Sequence, residues 1–313
     1  MRRVLAELIA LRTSSSSRIS SNLCAVNGWK TLHDVVRMGA RVERVYAAGG
    51  EWGGSKSPTS TTTTDLPVPI TVTSDWIAKA GGIERAAHDA AIGVVTLPPL
   101  HTPESVARSR LLILDGISDP SNVGALLRSA AALKWSILLS STCADATNSK
   151  ALQAGSGAQW STPHARLKMG DIVSSVRAAR AEAAGPTACA KKGSIRLTVL
   201  GDPRAEDEIS EIALLLSSLR SRGCLVSLAV VLGNEAHGFD AKWYEDEEKY
   251  GGSSILKAWA AALTDPCATP AACITVRARI GPRNAFESMN VAAAGAVIMH
   301  TLGNAMKRKP SSA

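Results

Sequence analysis

The chain has 313 residues, enough for two domains of ordinary size. With 45% hydrophobic residues it is too apolar for a disordered chain, yet no apolar run reaches the ~18 to 20 residues of a membrane span. Lysine and arginine outnumber aspartate and glutamate by 35 to 27, and the net charge of +8 favours polyanionic partners, nucleic acid among them.

Residues 1–22 carry Arg2, Arg3, Arg12 and Arg18 against a single acid, Glu7, and end in a serine cluster. Val4, Leu5, Leu8 and Leu11 can share one helical face, so the segment reads as an organelle transit peptide, with the mitochondrial matrix the first destination. Residues 23–99 read as a small α/β domain. In NLCAVNGWKTLHDVVRMGARVERVYAAGG a short helix carrying Leu32, Val35 and Val36 leads to the strand VERVYAA. The stretch GGEWGGSKSPTSTTTTD is a surface loop by composition, and a second helix in SDWIAKAGG lies between two strand-like runs, the last being AAIGVVT. Residues 100–109 form a linker.

The second domain, 110–306, opens with LLILD, an apolar run of the kind buried in a parallel sheet. GISDPSN supplies a turn, with Pro120 disfavouring helix at Asp119 and Ser121 or Asn122 available as an N-cap. VGALLRSAAALKW is then helical and SILLSS a second strand. Strand, helix, strand at this spacing is a βαβ unit and implies a parallel sheet covered by helices. CLVSLAVVL is a buried strand ending in a glycine-framed loop, ACITVRARIG a last strand, and SMNVAAAGAVIMHTLGNAM a terminal helix with an apolar face. Residues near 180–222 and 243–270 read as insertions, because AEDEISE and WYEDEEKY resemble solvated faces, and residues 307–313 as a basic tail.

Several chemistries fail on spacing. GNEAHGFD has the glycine frame of a phosphate loop but places Phe239 and Asp240 where lysine and a hydroxyl are needed. No G-x-G-x-x-G follows the first strand, and Ala154 stands where a nucleophile elbow needs its first glycine. The six cysteines lie far apart without a C-x-x-C pair, so neither a metal site nor a disulfide framework is expected.

Three loops remain, each at the carboxyl end of a predicted buried strand, where open α/β sheets bind ligands: DGISDPSNVGALLRSA, LGNEAHGF and GPRNAFESMNVA. The first holds Asp119, Pro120, Asn122, Gly124 and Arg128. The second holds Gly233, Glu235 and Gly238, and the third Ser288, Asn290 and Val291. Together they resemble the three signature motifs of the SpoU/TrmH family of RNA ribose 2′-O-methyltransferases, over most of residues 108 to 306. Residues 24–99 are similar, more loosely, to the ribosomal-protein-like RNA-binding domain that precedes the catalytic domain in rRNA-modifying members.

The resemblance implies an α/β fold whose C-terminal parallel-sheet domain carries a deep trefoil knot (SPOUT). It implies S-adenosylmethionine as methyl donor, no metal, and ribosomal RNA or a pre-ribosomal particle as partner. It further implies a homodimer or a heterodimer with a related methyltransferase, and no membrane. Arg128 is the residue expected to position a ribose phosphate and stabilise the developing alkoxide, since guanidinium binds oxyanions in bidentate fashion and is a poor base. Asn122, Glu235, Ser288 and Asn290 complete the expected catalytic set. Leu232, Gly233, Asn234, Gly238, Ile280 and Met289 are expected at the cofactor. The third motif departs from the family: ITVRARIG lacks the usual strand-end proline, extra residues separate Gly281 from Ser288, and Arg277, Arg279 and Arg283 bring charge to a mostly apolar position. Two functions follow, rRNA 2′-O-methylation in mitochondrial large-subunit biogenesis, or a catalytically degenerate RNA-binding ribosome-assembly factor.

Overall fold

The structure, a computed structural model, describes residues 1–49, 66–87, 90–106, 109–184, 194–221, 223–234, 236–243, 272–281 and 289–307. It divides into two compact units. The first comprises residues 1–100 with 120–128 and 144–161, and the second the remainder.

The first unit is built on strands β1 (Leu23–Asn27), β2 (Val42–Ala48), β3 (Ile70–Val72) and β4 (Ala91–Thr96), in the order β1-β4-β2-β3. Strand β4 is antiparallel to both β1 and β2, and β3 is parallel to β2. The period of two along each strand sorts the side chains onto two cores. Ala25, Tyr46, Ala48, Ile92 and Val94 meet helices α1 (Arg2–Thr13) and α4 (Ser74–Gly81) through Leu8, Leu11, Ile77 and Ala78. Cys24, Val26, Val45, Ala47, Ala91 and Val95 meet α3 (Trp29–Arg37) through Leu32 and Val35. Gly93 has to be glycine here, since a Cβ would lie 2.1 Å from the Leu32 side chain.

Residues 1–22, expected as an organelle transit peptide, form α1 and α2 (Ser15–Ser21), with Leu8 and Leu11 in the core and Arg18 buried. The five residues of β1, to which the sequence reading gave no element of their own, are a strand paired over their whole length with β4. Two later segments also pack in this unit. Helices α7 (Ser149–Gly155) and α8 (Ala158–Ser161) place Leu152 and Trp160 in the α3 core, and Gly157 sits where a Cβ would be 2.9 Å from the carbonyl of Asp34.

The second unit is a six-stranded, wholly parallel sheet of β5 (Arg110–Leu114), β6 (Ser136–Ser140), β7 (His164–Leu167), β8 (Ser194–Gly201), β9 (Leu225–Leu232) and β10 (Ala272–Ala278), in the order β10-β8-β9-β5-β6-β7. One face is covered by α5 (Pro103–Val106) and α9 (Met169–Ala184), through Val106, Met169, Ile172 and Val173 packed on Leu111, Ile113, Leu138 and Val231. Helices α10 (Ile209–Ser221) and α11 (Val291–Ala305) pack together, and the close approach of Ile298 to Gly201 seats α11 on the sheet.

The expected insertion near 180–222 is corrected in part. Its residues 194–201 are β8, an interior strand between β10 and β9, and 209–221 are α10. Of the other expected insertion, residues 244–270 lie outside the described residues, as does nearly all of the glycine, serine and threonine loop. Helix α6 (Pro120–Leu133) joins β5 to β6 and begins at Pro120, where the missing N–H costs nothing. Ser121 and Asn122 therefore lie in its first turn and do not precede it. No helix among the described residues is long and apolar enough to cross a membrane.

Candidate active site

All six parallel strands of the second unit deliver their carboxyl ends to one edge of the sheet. Strands β5 and β9 are neighbours with Leu114 opposite Leu232, so the loops that follow them start side by side. The ladder runs one residue further, the amide of Asp115 donating to the carbonyl of Leu232 at 2.8 Å.

Beyond this point the two loops are tied by side chains. The Asn234 amide nitrogen donates to the carbonyl of Gly116 at 2.7 Å, while its oxygen accepts from the amides of Ala236 at 2.9 Å and His237 at 3.1 Å. Asn234 and Gly238 exchange two backbone hydrogen bonds, both 2.8 Å, closing the loop on itself. Gly238 has φ +72°, which glycine adopts without strain, and a Cβ at Gly233 would lie 2.6 Å from the Gly238 carbonyl. The amide of Gly116 donates to Ser140 Oγ at 3.0 Å, and that hydroxyl shares a hydrogen bond of 2.7 Å with Thr142 Oγ1, so the end of β6 joins the network.

Asp115 closes the far end of the loop. Its carboxylate accepts from the amide of Asp240 at 2.7 Å and is only 6% exposed. Burial pushes this carboxyl above its ordinary range and the neighbouring Asp240 charge adds to that, against the pull of the Asp240 amide. Asp115, Ser140 and Thr142 were not among the residues expected from the motifs. The signal available for Asp115 was a lone acid closing the apolar run LLILD.

The expected residues distribute as follows. Leu232 is buried as the last residue of β9, and Gly233, Asn234 and Gly238 form the closed loop after it. Ile280 is half-buried just past β10, at the same edge of the sheet. Met289 is 50% exposed, and the exposed Asn290 caps α11, its oxygen accepting from Ala292 at 3.0 Å and Ala293 at 3.3 Å. Asn122 is half-buried in the first turn of α6. Arg128, further along that helix, is exposed and has no hydrogen bond or ion pair among the described residues. Glu235 and Ser288 lie outside the described residues. No group of histidine, cysteine and carboxylate side chains among the described residues could hold a metal ion.

Residues 109–250, which contain the first two loops, match the model of the SpoU rRNA Methylase family. These residues are similar to that family, over somewhat less than half of the chain. A stretch of 54 residues is 48% identical to the human protein named rRNA methyltransferase 3, mitochondrial, covering 17% of this chain and 13% of that protein. The fold is that of SpoU methyltransferases. The AviRb enzyme of Streptomyces viridochromogenes, solved with AdoMet, superposes with a TM-score of 0.61 at 16% identity over 96% of this chain and 97% of that one. A TrmH-family protein of Porphyromonas gingivalis, described as a putative RNA methyltransferase, gives 0.61 at 19% identity over the same shares. A solved RNA 2′-O ribose methyltransferase gives 0.60 at 17% identity, over 96% and 94%. The matched stretch includes the closed loop at Gly233–Gly238, with Asp115 and Asn234 as its local anchors.

Proposed function

We propose that the chain transfers a methyl group from S-adenosylmethionine to a ribose 2′-hydroxyl of ribosomal RNA, in mitochondrial large-subunit assembly. The observation that carries this reading is the glycine-framed loop of a SpoU domain, held closed at the carboxyl edge of a parallel sheet, where such sheets bind ligands. Gly233 lets the loop close on itself, since a Cβ there would lie 2.6 Å from the Gly238 carbonyl. Leu232, Gly233, Asn234, Gly238, Ile280 and Met289 are the residues we assign to holding the cofactor. When bound, it supplies an electrophilic methyl group on a cationic sulfur.

The chain's own residues supply the rest. A ribose hydroxyl is a weak nucleophile, and its oxygen gains negative charge as its proton departs. Arg128 is exposed and free of competing partners among the described residues, so its guanidinium can meet that oxygen and the adjoining phosphate together. Asn122 and Glu235 are assigned to orienting the first loop and the arginine. Ser288 and Asn290 shape the approach of the ribose, with Asn290 fixing the start of α11. Residues 23–99 are assigned to RNA binding, a role consistent with exposed Lys30, Arg37, Arg41 and Lys79. The matrix location rests on the name of the human relative and on the arginine-rich N-terminus, and the trefoil knot and a dimeric state on the likeness of fold.

Arg128→Ala tests the assignment. We expect methyl transfer to an rRNA fragment to fall about 10²- to 10³-fold, the scale of losing an oxyanion donor. Melting temperature and calorimetric affinity for S-adenosylmethionine should stay at wild-type values. Wild-type turnover in the variant would remove Arg128 from the mechanism. Absence of cofactor binding in the wild-type chain would transfer the function to the RNA-binding assembly factor.

A further inference from the structure

The departure of the third motif has a structural counterpart on the neighbouring strand. Just past β10, Arg279 is 15% exposed and its Nη1 lies 2.8 Å from Glu208 Oε1, in the connection between β8 and α10. The same Nη1 donates to the carbonyl of Gly281, two residues on, so one guanidinium bridges a carboxylate on the next element and the turn that begins the third loop. The backbone is laced at the same place. The Arg279 amide donates to the Asp207 carbonyl at 3.0 Å, the Arg279 carbonyl accepts from Ile209 at 2.8 Å, and Glu208 and Arg279 form a parallel bridge. Just after β8, the buried Asp202 donates its amide to the Ala278 carbonyl at 3.0 Å, and its carboxylate faces Arg277 Nη1 at 3.6 Å. Two of the three unexpected arginines, Arg277 and Arg279, therefore have carboxylates opposite them, supplied by the segment that sequence alone marked as an insertion.

Between Arg279 and Gly281 stands Ile280, assigned above to the cofactor, and Gly281 turns the chain with φ +69°. We propose that the Glu208–Arg279 pair is a positioning device that replaces the missing proline. It fixes the main chain of Ile280 and Gly281 by charge-assisted hydrogen bonds where a ring would otherwise restrict it. Arg279 is thus a positioning residue, acting on the cofactor through the backbone it holds, and Glu208 is its partner. The inference rests on the methyltransferase reading of this edge.

The test compares wild type, Glu208→Gln, Arg279→Gln and the exchanged pair Glu208→Arg with Arg279→Glu. S-adenosylmethionine affinity is read by calorimetry, KM and kcat by methyl transfer, and RNA affinity and melting temperature as controls. Arg279→Gln should weaken cofactor binding about tenfold, the scale of one lost charge-assisted hydrogen bond. KM for the cofactor should rise in step, while kcat and RNA affinity stay within about twofold. Glu208→Gln, the milder change at a partly exposed site, should move KM in the same direction, and the exchanged pair should recover part of the loss. A fall in melting temperature with cofactor affinity unchanged would make the pair structural only and overturn the proposal. So would variants that bind the cofactor as the wild type does. A wild-type chain that binds no cofactor would overturn the methyltransferase reading itself and the proposal with it.

Discussion

Arg18 is 2% exposed, yet its guanidinium is fully engaged: Nη1 donates to the carbonyls of Leu11 at 2.8 Å and Arg12 at 3.2 Å, Nε to Thr147 Oγ1 at 3.1 Å, and Nη2 to Asp145. Two of these partners are in α1 and two lie more than a hundred residues later, so the side chain staples the N-terminal helices to the segment leading into α7. Burial alone would push the Asp145 carboxyl up, but the Arg18 hydrogen bond, two more from Thr147 and the Arg18 charge outweigh it and bring it below 3.8. The sign of the linkage follows. A depressed folded-state value contributes stability above 3.8, and that contribution is lost as pH falls through the folded value. In urea titrations the stability gap between wild type and Asp145→Asn should therefore be full near neutrality and close under acid, and a gap independent of pH would contradict the assignment. Arg18→Met, which leaves a largely buried carboxylate unpaired, should cost about 3 kcal/mol. Nothing local in SSSSRISS foretells any of this. Arginine among serines reads as solvated because the partner that justifies its burial is remote in sequence.

Elements were legible in proportion to how completely the sheet buries them. LLILD, SILLSS and CLVSLAVVL are apolar runs, and they became β5, β6 and β9 in the interior of the sheet. SIRLTVLG, equally interior as β8, alternates polar and apolar residues as a half-exposed strand would, and the acidic cluster after it completed the disguise. Its Thr198 is nonetheless 2% exposed. The first motif was legible for a different reason, since its glycine answers to geometry that sequence can state only as a pattern. On α6, a Cβ at Gly124 would lie 2.2 Å from the Ala151 carbonyl of α7, a backbone atom that no rotamer change can move. Gly124→Ala should therefore force α6 and α7 apart at a cost of ~1 to 3 kcal/mol, despite the better helix propensity of alanine. A melting temperature equal to or above wild type would show that the helices part freely and that this glycine serves something other than packing.

At the scale of the molecule, composition and charge pointed to two globular units and an anionic partner, and the packing gathers more than one stretch of the chain into each unit. Residues 144–161 belong with the first unit because Leu152 and Trp160 complete its α3 core, and residues 1–21 belong there because Leu8 and Leu11, at 1% and 3% exposure, complete the core on the other face. An amphipathic, arginine-rich helix satisfies import and packing with the same residues, so periodicity cannot separate the two uses. The energies can. Emptying two buried leucine sites costs ~2 to 5 kcal/mol each, comparable with the ~5 to 15 kcal/mol that stabilises a whole domain, and the Arg18 staple is lost besides. Deletion of residues 1–21 should therefore release the four-stranded sheet: hydrogen exchange in β1, β2 and β4 should lose its protection, and RNA affinity should fall with it if that sheet carries the RNA. Matrix import has then to leave α1 in place, and intact-mass measurement of the protein recovered from the organelle should find Leu8 and Leu11 still present. A mature chain beginning near Asn22 with β1 and β4 fully protected would show that the first unit stands without them and that the leader reading of residues 1–22 was the correct one.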